Sequence, residues 1–249
     1  MTQFPDQGEL FKAPTKRSER LVFFVHFFQG HKKALKRHIE FVNELGFDAY
    51  AFNLQDSPKD HFFMPYSHTS KKFGMKHALA DQIESHFNLL PEYKEKIIFA
   101  FSNVTGCCFE FMARKFAAGD RDITAMICDS GPGESFIYSS YKLAQHQIGI
   151  KSFPLKIAVT PLIAFGWSPS LHKDIKNDLD KFPDQFPILS IRGWRDPMIS
   201  PKHIDQIFEK HSQLKWQKLS LPEAAHLNGL RDFPSEYKPA VTQFIENYL

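Results

Sequence analysis

The sequence predicts an α/β fold: a mostly parallel, doubly wound sheet carrying an inserted helical segment. Three observations predict it. Short, unbroken apolar runs alternate with stretches of helical periodicity along most of the chain. The first of these runs, Leu21 to Phe28, is continuous, as expected of a strand covered on both faces of a parallel sheet. The alternation lapses once, between Glu134 and Pro183, where aromatics, prolines and amphipathic pieces follow one another without a clear strand. A chain of 249 residues with 43% hydrophobic content can enclose one sizeable core. A single domain over 1–249, with a helical cap inserted over 134–183, is therefore the economical organisation.

The elements follow in order. Leu21 to Phe28 is the first buried run. Leu35, Ile39, Val42 and Leu45 then share one helical face, and Gly46 stops that helix. Phe47 to Leu54 is the next strand. A polar loop from Gln55 to Lys72 leads to a helix marked by Met75, Leu79, Ile83, Phe87 and Leu90, and ended by Pro91. Ile97 to Phe101 is a strand, followed at once by a helix from Val104 to Ala117. Ile123 to Cys128 is a strand closed by the turn Asp129-Ser130-Gly131-Pro132-Gly133. Beyond the insertion come a strand at Pro187 to Arg192, a helix at Pro201 to His211 and a strand at Lys215 to Leu221. A last helix carries Tyr237, Val241, Phe244, Ile245 and Tyr248 at helical spacing. Strands separated by helices imply right-handed crossovers and a parallel sheet. No internal repeat or low-complexity linker divides the chain.

Composition excludes several classes of function. A net charge of +3 is too mild for a nucleic-acid partner, and Lys71-Lys72 reads as a solvated face. Met1–Asp6 has neither a basic n-region nor an apolar core, so no signal peptide is expected. No apolar stretch reaches the roughly 20 residues that span a bilayer. The nearest, Ile157 to Trp167, is too short and contains Pro161. Cys107, Cys108 and Cys128 sit in apolar contexts at spacings that fit no zinc motif, which points to buried, reduced thiols in a cytoplasmic protein. The 26 phenylalanines outnumber the 7 tyrosines and 3 tryptophans together. Most must be core, and the remainder can line an apolar pocket.

Ser102 ends the strand Ile97 to Phe101 and begins the next helix. A serine on such a turn projects above the sheet, and the N–H groups that follow it can hold an oxyanion. Ala100 and Val104 stand where glycines usually flank such an elbow. Other strand ends in a doubly wound sheet face the same crevice. They present His26-Phe27-Phe28-Gln29-Gly30-His31, then Gly193-Trp194-Arg195-Asp196-Pro197, then Ala224-Ala225-His226-Leu227-Asn228-Gly229. A serine hydroxyl needs an imidazole to take its proton and a carboxylate to fix the imidazole tautomer. Ser102, Asp196 and His226 occur in the chain order Ser, Asp, His. Each also has a plainer reading: Asp196 before Pro197 can start a turn or cap a helix, and His226 is one of 12 histidines. Asp129, also at a strand end, is the rival acid. His26 reads as a structural loop residue, and Cys107 and Cys108 as core.

From Leu21 to Leu249 the chain resembles the α/β-hydrolase superfamily. Ile188 to Asp196 is similar to its acid segment, and His226, followed by Pro234 and a closing helix, to its histidine segment. Phe101-Ser102-Asn103 together with Cys128 to Gly133 further resembles the transmembrane-protein-53-like branch. The resemblance implies an α/β-hydrolase fold with Ser102 as nucleophile, His226 as base and Asp196 as orienting acid. It implies oxyanion donors at the backbone N–H of Asn103 and of Phe27 or Phe28. Two departures stand out: His26-Phe27 replaces a His-Gly pair, and Val104 replaces the glycine after the elbow. The expected activity is hydrolysis of a small-molecule carboxylic ester or thioester with an apolar acyl or aryl group, through an acyl-serine and without a cofactor. A catalytically silent binding module and an acyltransferase using the same residues are the alternatives. Oligomeric state is not encoded in any motif.

Overall fold

The sheet assembles because its central runs are apolar enough to be covered on both sides. In chain order the strands are β1 (Gly8–Phe11), β2 (Leu21–Val25), β3 (Asp48–Phe52), β4 (Tyr66–Ser67), β5 (Lys72–Phe73), β6 (Lys96–Phe101), β7 (Ile123–Asp129), β8 (Pro187–Gly193) and β9 (Lys215–Leu221). The helices are α1 (Lys36–Glu44), α2 (Met75–Phe87), α3 (Thr105–Ala117), α4 (Phe136–His146), α5 (Phe153–Trp167), α6 (Leu171–Leu179), α7 (Pro201–Phe208), α8 (Gly229–Asp232) and α9 (Pro234–Asn247). This computed structural model describes residues 8–56 and 65–248. The Met1–Asp6 segment and residues 57–64 of the predicted loop lie outside the described residues.

β4 and β5 form a separate two-stranded ribbon, and the main sheet runs β1-β3-β2-β6-β7-β8-β9. Every pairing in the main sheet is parallel except β1 on β3. Side chains alternate between two cores, with one slip at the start of β7 where its pairing with β6 shifts register. Phe23, Ile98, Met126 and Ile188 face α2, α3, α6 and α7 through residues such as Leu79, Phe109, Leu179 and Ile207. Phe24, Phe99, Ile127 and Leu189 face α1 and α9 through Ile39, Val42, Val241 and Phe244. Aromatic rings stack along the second face, with Phe24 and Phe99 at 5.2 Å and Phe99 and Phe101 at 5.0 Å. The three cysteines are buried and unpaired, as their apolar settings predict.

The chain forms the edge strand β1, crosses to β2 and winds back outward to β3, between the two. It then returns past β2 to begin β6, and continues in the other direction. The switch point therefore lies between β2 and β6, where a crevice opens at the carboxyl ends of parallel strands. The loop after β2 and the serine after β6 meet there.

The stretch without a clear strand contains α4, α5 and α6. The first two pack on each other, while α6 lies against α3. Fully buried Lys76 on α2 bridges them electrostatically, with Nζ 2.6 Å from Glu110 Oε2 on α3 and 2.8 Å from Asp178 Oδ2 on α6. Glu110 is held down to about 2: burial pushes it up, but the His77 hydrogen bond and the Lys76 charge outweigh burial. Helix α5 is apolar except for Lys156 and Thr160 yet leaves Phe153, Leu155, Leu162 and Phe165 at least half exposed. Among the described residues, no helix is long and apolar enough to cross a membrane.

Candidate active site

Ser102 occupies the first position of a 3-10 turn (Ser102–Val104) that links β6 directly to α3. Its φ of +57° lies in the left-handed region, a conformation that a serine adopts only when its surroundings impose it. Two neighbours impose it. Phe101 pairs with Asp129 across the β6–β7 ladder, which fixes the strand end. Gly131, in the loop after β7, lies so close that a β-carbon there would stand 2.3 Å from the Ser102 carbonyl oxygen. Ala100 and Val104, the residues at the usual glycine positions, are fully buried. The small residue that the tight turn needs is supplied by the next loop.

His226 follows β9, and its Nε2 is 3.1 Å from Ser102 Oγ. Its Nδ1 is 2.6 Å from Asp196 Oδ2. The other oxygen of Asp196, Oδ1, accepts the N–H groups of Met198 (2.7 Å) and Ile199 (2.9 Å). The Asp196 side chain is 1% exposed, against 19% for His226. A carboxylate accepts and does not donate, so Nδ1 carries the imidazole proton and Nε2 presents its lone pair to the serine. Asp196 thus makes the turn that its position before Pro197 predicts and also holds the imidazole.

Asp129 is placed differently. Its Oδ1 accepts the Ser130 hydroxyl (2.8 Å) and its Oδ2 accepts the Tyr237 hydroxyl (2.7 Å). Burial pushes its carboxyl above the usual range despite both hydrogen bonds. The Ser130 hydroxyl also accepts the N–H of Leu227 at 3.2 Å. Asp129 therefore braces the backbone just after His226 and makes no hydrogen bond to the imidazole itself.

Phe27, Phe28 and Asn103 all line the same cavity as Ser102 and His226. The N–H of Asn103 lies in the first turn of the helix, where backbone donors have no intrahelical partner. Its side-chain Oδ1 accepts the N–H of Gly133 at 3.3 Å. His26 explains the shape of the opposing loop. Its Nε2 accepts from the Leu54 N–H (2.9 Å), so Nδ1 is protonated and donates to the Phe27 carbonyl (2.7 Å). Gly30 N–H donates to the same carbonyl at 2.9 Å. A planar trans peptide then aims the Phe28 N–H the opposite way. Burial pushes the His26 imidazole down, as suits a neutral ring used to fasten a loop.

The cavity has a volume of about 530 Å³ and opens between the switch point and the α4–α5 pair. Phe28 meets Trp167 edge-on at 5.3 Å, and Phe136 stacks on Trp167 at 5.7 Å. Gln147, just past α4, reaches the Gln29 side chain at 3.0 Å. Reading the sequence alone misses Gly131, because no local pattern reports how closely two loops approach. It also misses the helix α4 residues that line the cavity, since only their spacing could have marked them.

No protein-family model matches the sequence, and no curated protein sequence resembles it significantly. Solved structures resemble it over nearly its whole length. An esterase of Pyrococcus furiosus superposes with a TM-score of 0.68 at 16% identity, covering 97% of this chain and 85% of that one. A monoacylglycerol lipase of Paleococcus ferrophilus gives 0.62 at 16% identity, covering 97% and 98%. An α/β-hydrolase enzyme from a Medee basin deep-sea metagenome gives 0.61 at 13% identity, covering 98% and 96%. Parallel sheet, switch-point crevice and structural likeness agree, and this chain has the α/β-hydrolase fold.

Proposed function

We propose that this protein is a serine hydrolase that cleaves a carboxylic ester or thioester bearing an apolar acyl or aryl group. The observation that carries the reading is the hydrogen-bonded line from Ser102 Oγ through His226 to the buried Asp196 carboxylate. In this reading Ser102 Oγ attacks the substrate carbonyl carbon while its proton passes to His226 Nε2. Asp196 fixes the tautomer and stabilises the imidazolium. The N–H groups of Asn103 and Phe28 receive the charge developing on the carbonyl oxygen. Nε2 then returns the proton to the departing alcohol or thiol, leaving an acyl-serine. Water, deprotonated by the same nitrogen, attacks the acyl carbon and releases the acid and the free serine.

Within the insertion over 134–183, the α4–α5 pair covers the crevice and supplies Phe136 and Trp167 to an apolar wall. Such a wall suits an acyl or aryl group and sheds water from the reacting carbonyl. The Phe101-Ser102-Asn103 elbow and the turn Cys128 to Gly133 are the two motifs that support the transmembrane-protein-53-like reading.

Fluorophosphonate labelling with peptide mapping tests the reading. The label is expected on the peptide containing Ser102, and Ser102→Ala should lose both labelling and turnover of aryl esters. Labelling at Ser130 or Cys107 would overturn it, as would undiminished turnover by the alanine variant.

A further inference from the structure

Helix α4 turns Phe136, Ser139, Ser140, Leu143 and His146 toward the cavity at helical spacing, and Gln147 follows just past its end. Two serines are out of keeping with that apolar wall. Ser139 is 3% exposed and Ser140 is 1% exposed, and neither hydroxyl has a hydrogen-bond partner among the described residues.

A helical serine or threonine can satisfy its hydroxyl on the carbonyl one turn back. Thr160 on α5 does so with Lys156 at 2.7 Å, and Ser85 on α2 does so with Asp81 at 2.9 Å. Ser139 and Ser140 make no such bond; both residues line the cavity, and a rotation about χ1 is what brings either hydroxyl, now covered by its neighbours, to the cavity surface. Ser139 is also near the reacting centre. A β-carbon at Gly133 would stand 3.4 Å from its Oγ, and the N–H of Gly133 donates to the Asn103 side chain beside Ser102.

The chemistry of the missing partner can be narrowed. Among the described residues, no lysine, arginine, aspartate or glutamate lines the cavity, and its imidazoles are His226 at the serine and the exposed His146, so no permanent charge there favours a phosphate, a carboxylate or an ammonium group. A hydroxyl both donates and accepts, and two neighbouring hydroxyls can do both for the same guest oxygen. We propose that Ser139 and Ser140 form a polar subsite that takes a neutral hydroxyl or carbonyl oxygen of the substrate, close to the scissile bond. The preferred ester is then an oxygen-substituted one. A plain hydrocarbon in the same place leaves two buried hydroxyls stranded, which is how a site built for hydrogen bonding rejects the analogue that lacks the group. The inference rests on Ser102 acting as the nucleophile and names a substrate class for it.

The test compares kcat/KM for ethyl decanoate, its β-hydroxyacyl analogue and its hydroxyethyl analogue, in the wild type and in the Ser139→Ala/Ser140→Ala double variant. The wild type should prefer one hydroxylated ester over the plain one by about tenfold, and the double variant should lose that preference. Which analogue gains tells whether the subsite serves the acyl or the alcohol side. The variant's melting temperature should be unchanged or higher, because alanine favours the helix and removes unsatisfied hydroxyls. Equal rates on all three esters in the wild type would overturn the subsite, as would a preference that survives in the double variant. Those results, with phosphonate label still on Ser102, would leave the hydrolase reading standing. Failure of Ser102 to label would remove both.

Discussion

The Ser102 carbonyl oxygen and the α-carbon of Gly131 approach so closely that no β-carbon fits between the two loops, since one would stand 2.3 Å from that oxygen. The elbow is held from outside its own segment.

Gly131→Ala should therefore act on activity as well as stability. The two loops must part, which costs about 1–3 kcal/mol as other overpacked sites do. Displacing the Ser102 backbone by even a fraction of an ångström should also lower ester turnover by more than about tenfold. Thermal unfolding and turnover, measured together, check this. A variant with wild-type values of both would show that Gly131 does not hold the elbow.

The two candidate acids separate cleanly under substitution. Asp196→Asn places an amide where a carboxylate meets Nδ1–H, so it favours the wrong tautomer and should lower kcat by about ten-thousand-fold. Asp129→Asn disturbs the Tyr237 and Ser130 hydroxyls and should chiefly lower the melting temperature. Steady-state kinetics of both variants decide between them. A larger loss of kcat at Asp129 would transfer the orienting role to that residue.

Lys76 tests the contact between α6 and the sheet-covering helices. Lys76→Met leaves Glu110 and Asp178 buried together without their shared counter-charge. Urea unfolding should show a loss of about 3–5 kcal/mol. Adding Glu110→Gln and Asp178→Asn should recover part of it. A loss below about 1 kcal/mol in the single variant would mean that the cluster is better hydrated than its burial indicates.

His38 gives stability a pH dependence of definite sign. Its ring lies among Phe99, Phe101 and Tyr237, and burial, with Arg37 nearby, pushes it down to about 3. The folded protein then refuses a proton that the unfolded chain accepts below the ordinary histidine value. This contribution is complete above about pH 6.5 and is lost toward pH 3, by at most about 1.4 kcal/mol per pH unit. His38→Phe should flatten the fall in stability between pH 6.5 and 4 while changing little at pH 8. Parallel curves for the two proteins would contradict the assignment.

What the sequence made legible follows from physics that is local. Strands buried on both faces are largely apolar runs, and β6 and β8 fall within a residue of their predicted bounds; the edge strand β9 is only partly buried, and alternating apolar residues mark it instead. The strand β1, only four residues from Gly8 to Phe11, is too short to announce itself and exists by pairing with β3. Lys71 and Lys72 are exposed as their charge predicts, yet Lys76 is fully buried, because its partners come from helices far along the chain. At the candidate site, strand ends and chain order point to Ser102, Asp196 and His226, and the fold brings the three within hydrogen-bond distance. The brace through Asp129, the close approach of Gly131 and the unspent hydroxyls of Ser139 and Ser140 depend on distances across the fold, and no segment read by itself contains them.

The serine and imidazole that stand 3.1 Å apart are separated by 124 residues of chain. Between them lie the whole insertion and the last three strands of the sheet. A chain emerging from synthesis therefore displays its elbow long before any imidazole can reach it, and the hydroxyl is an ordinary alcohol during that interval. Recovered activity after refolding would accordingly report the closing of the longest loops, whose ordering is the slow part of folding for sheets with distant pairings. It would remain silent about helices and hairpins that form early.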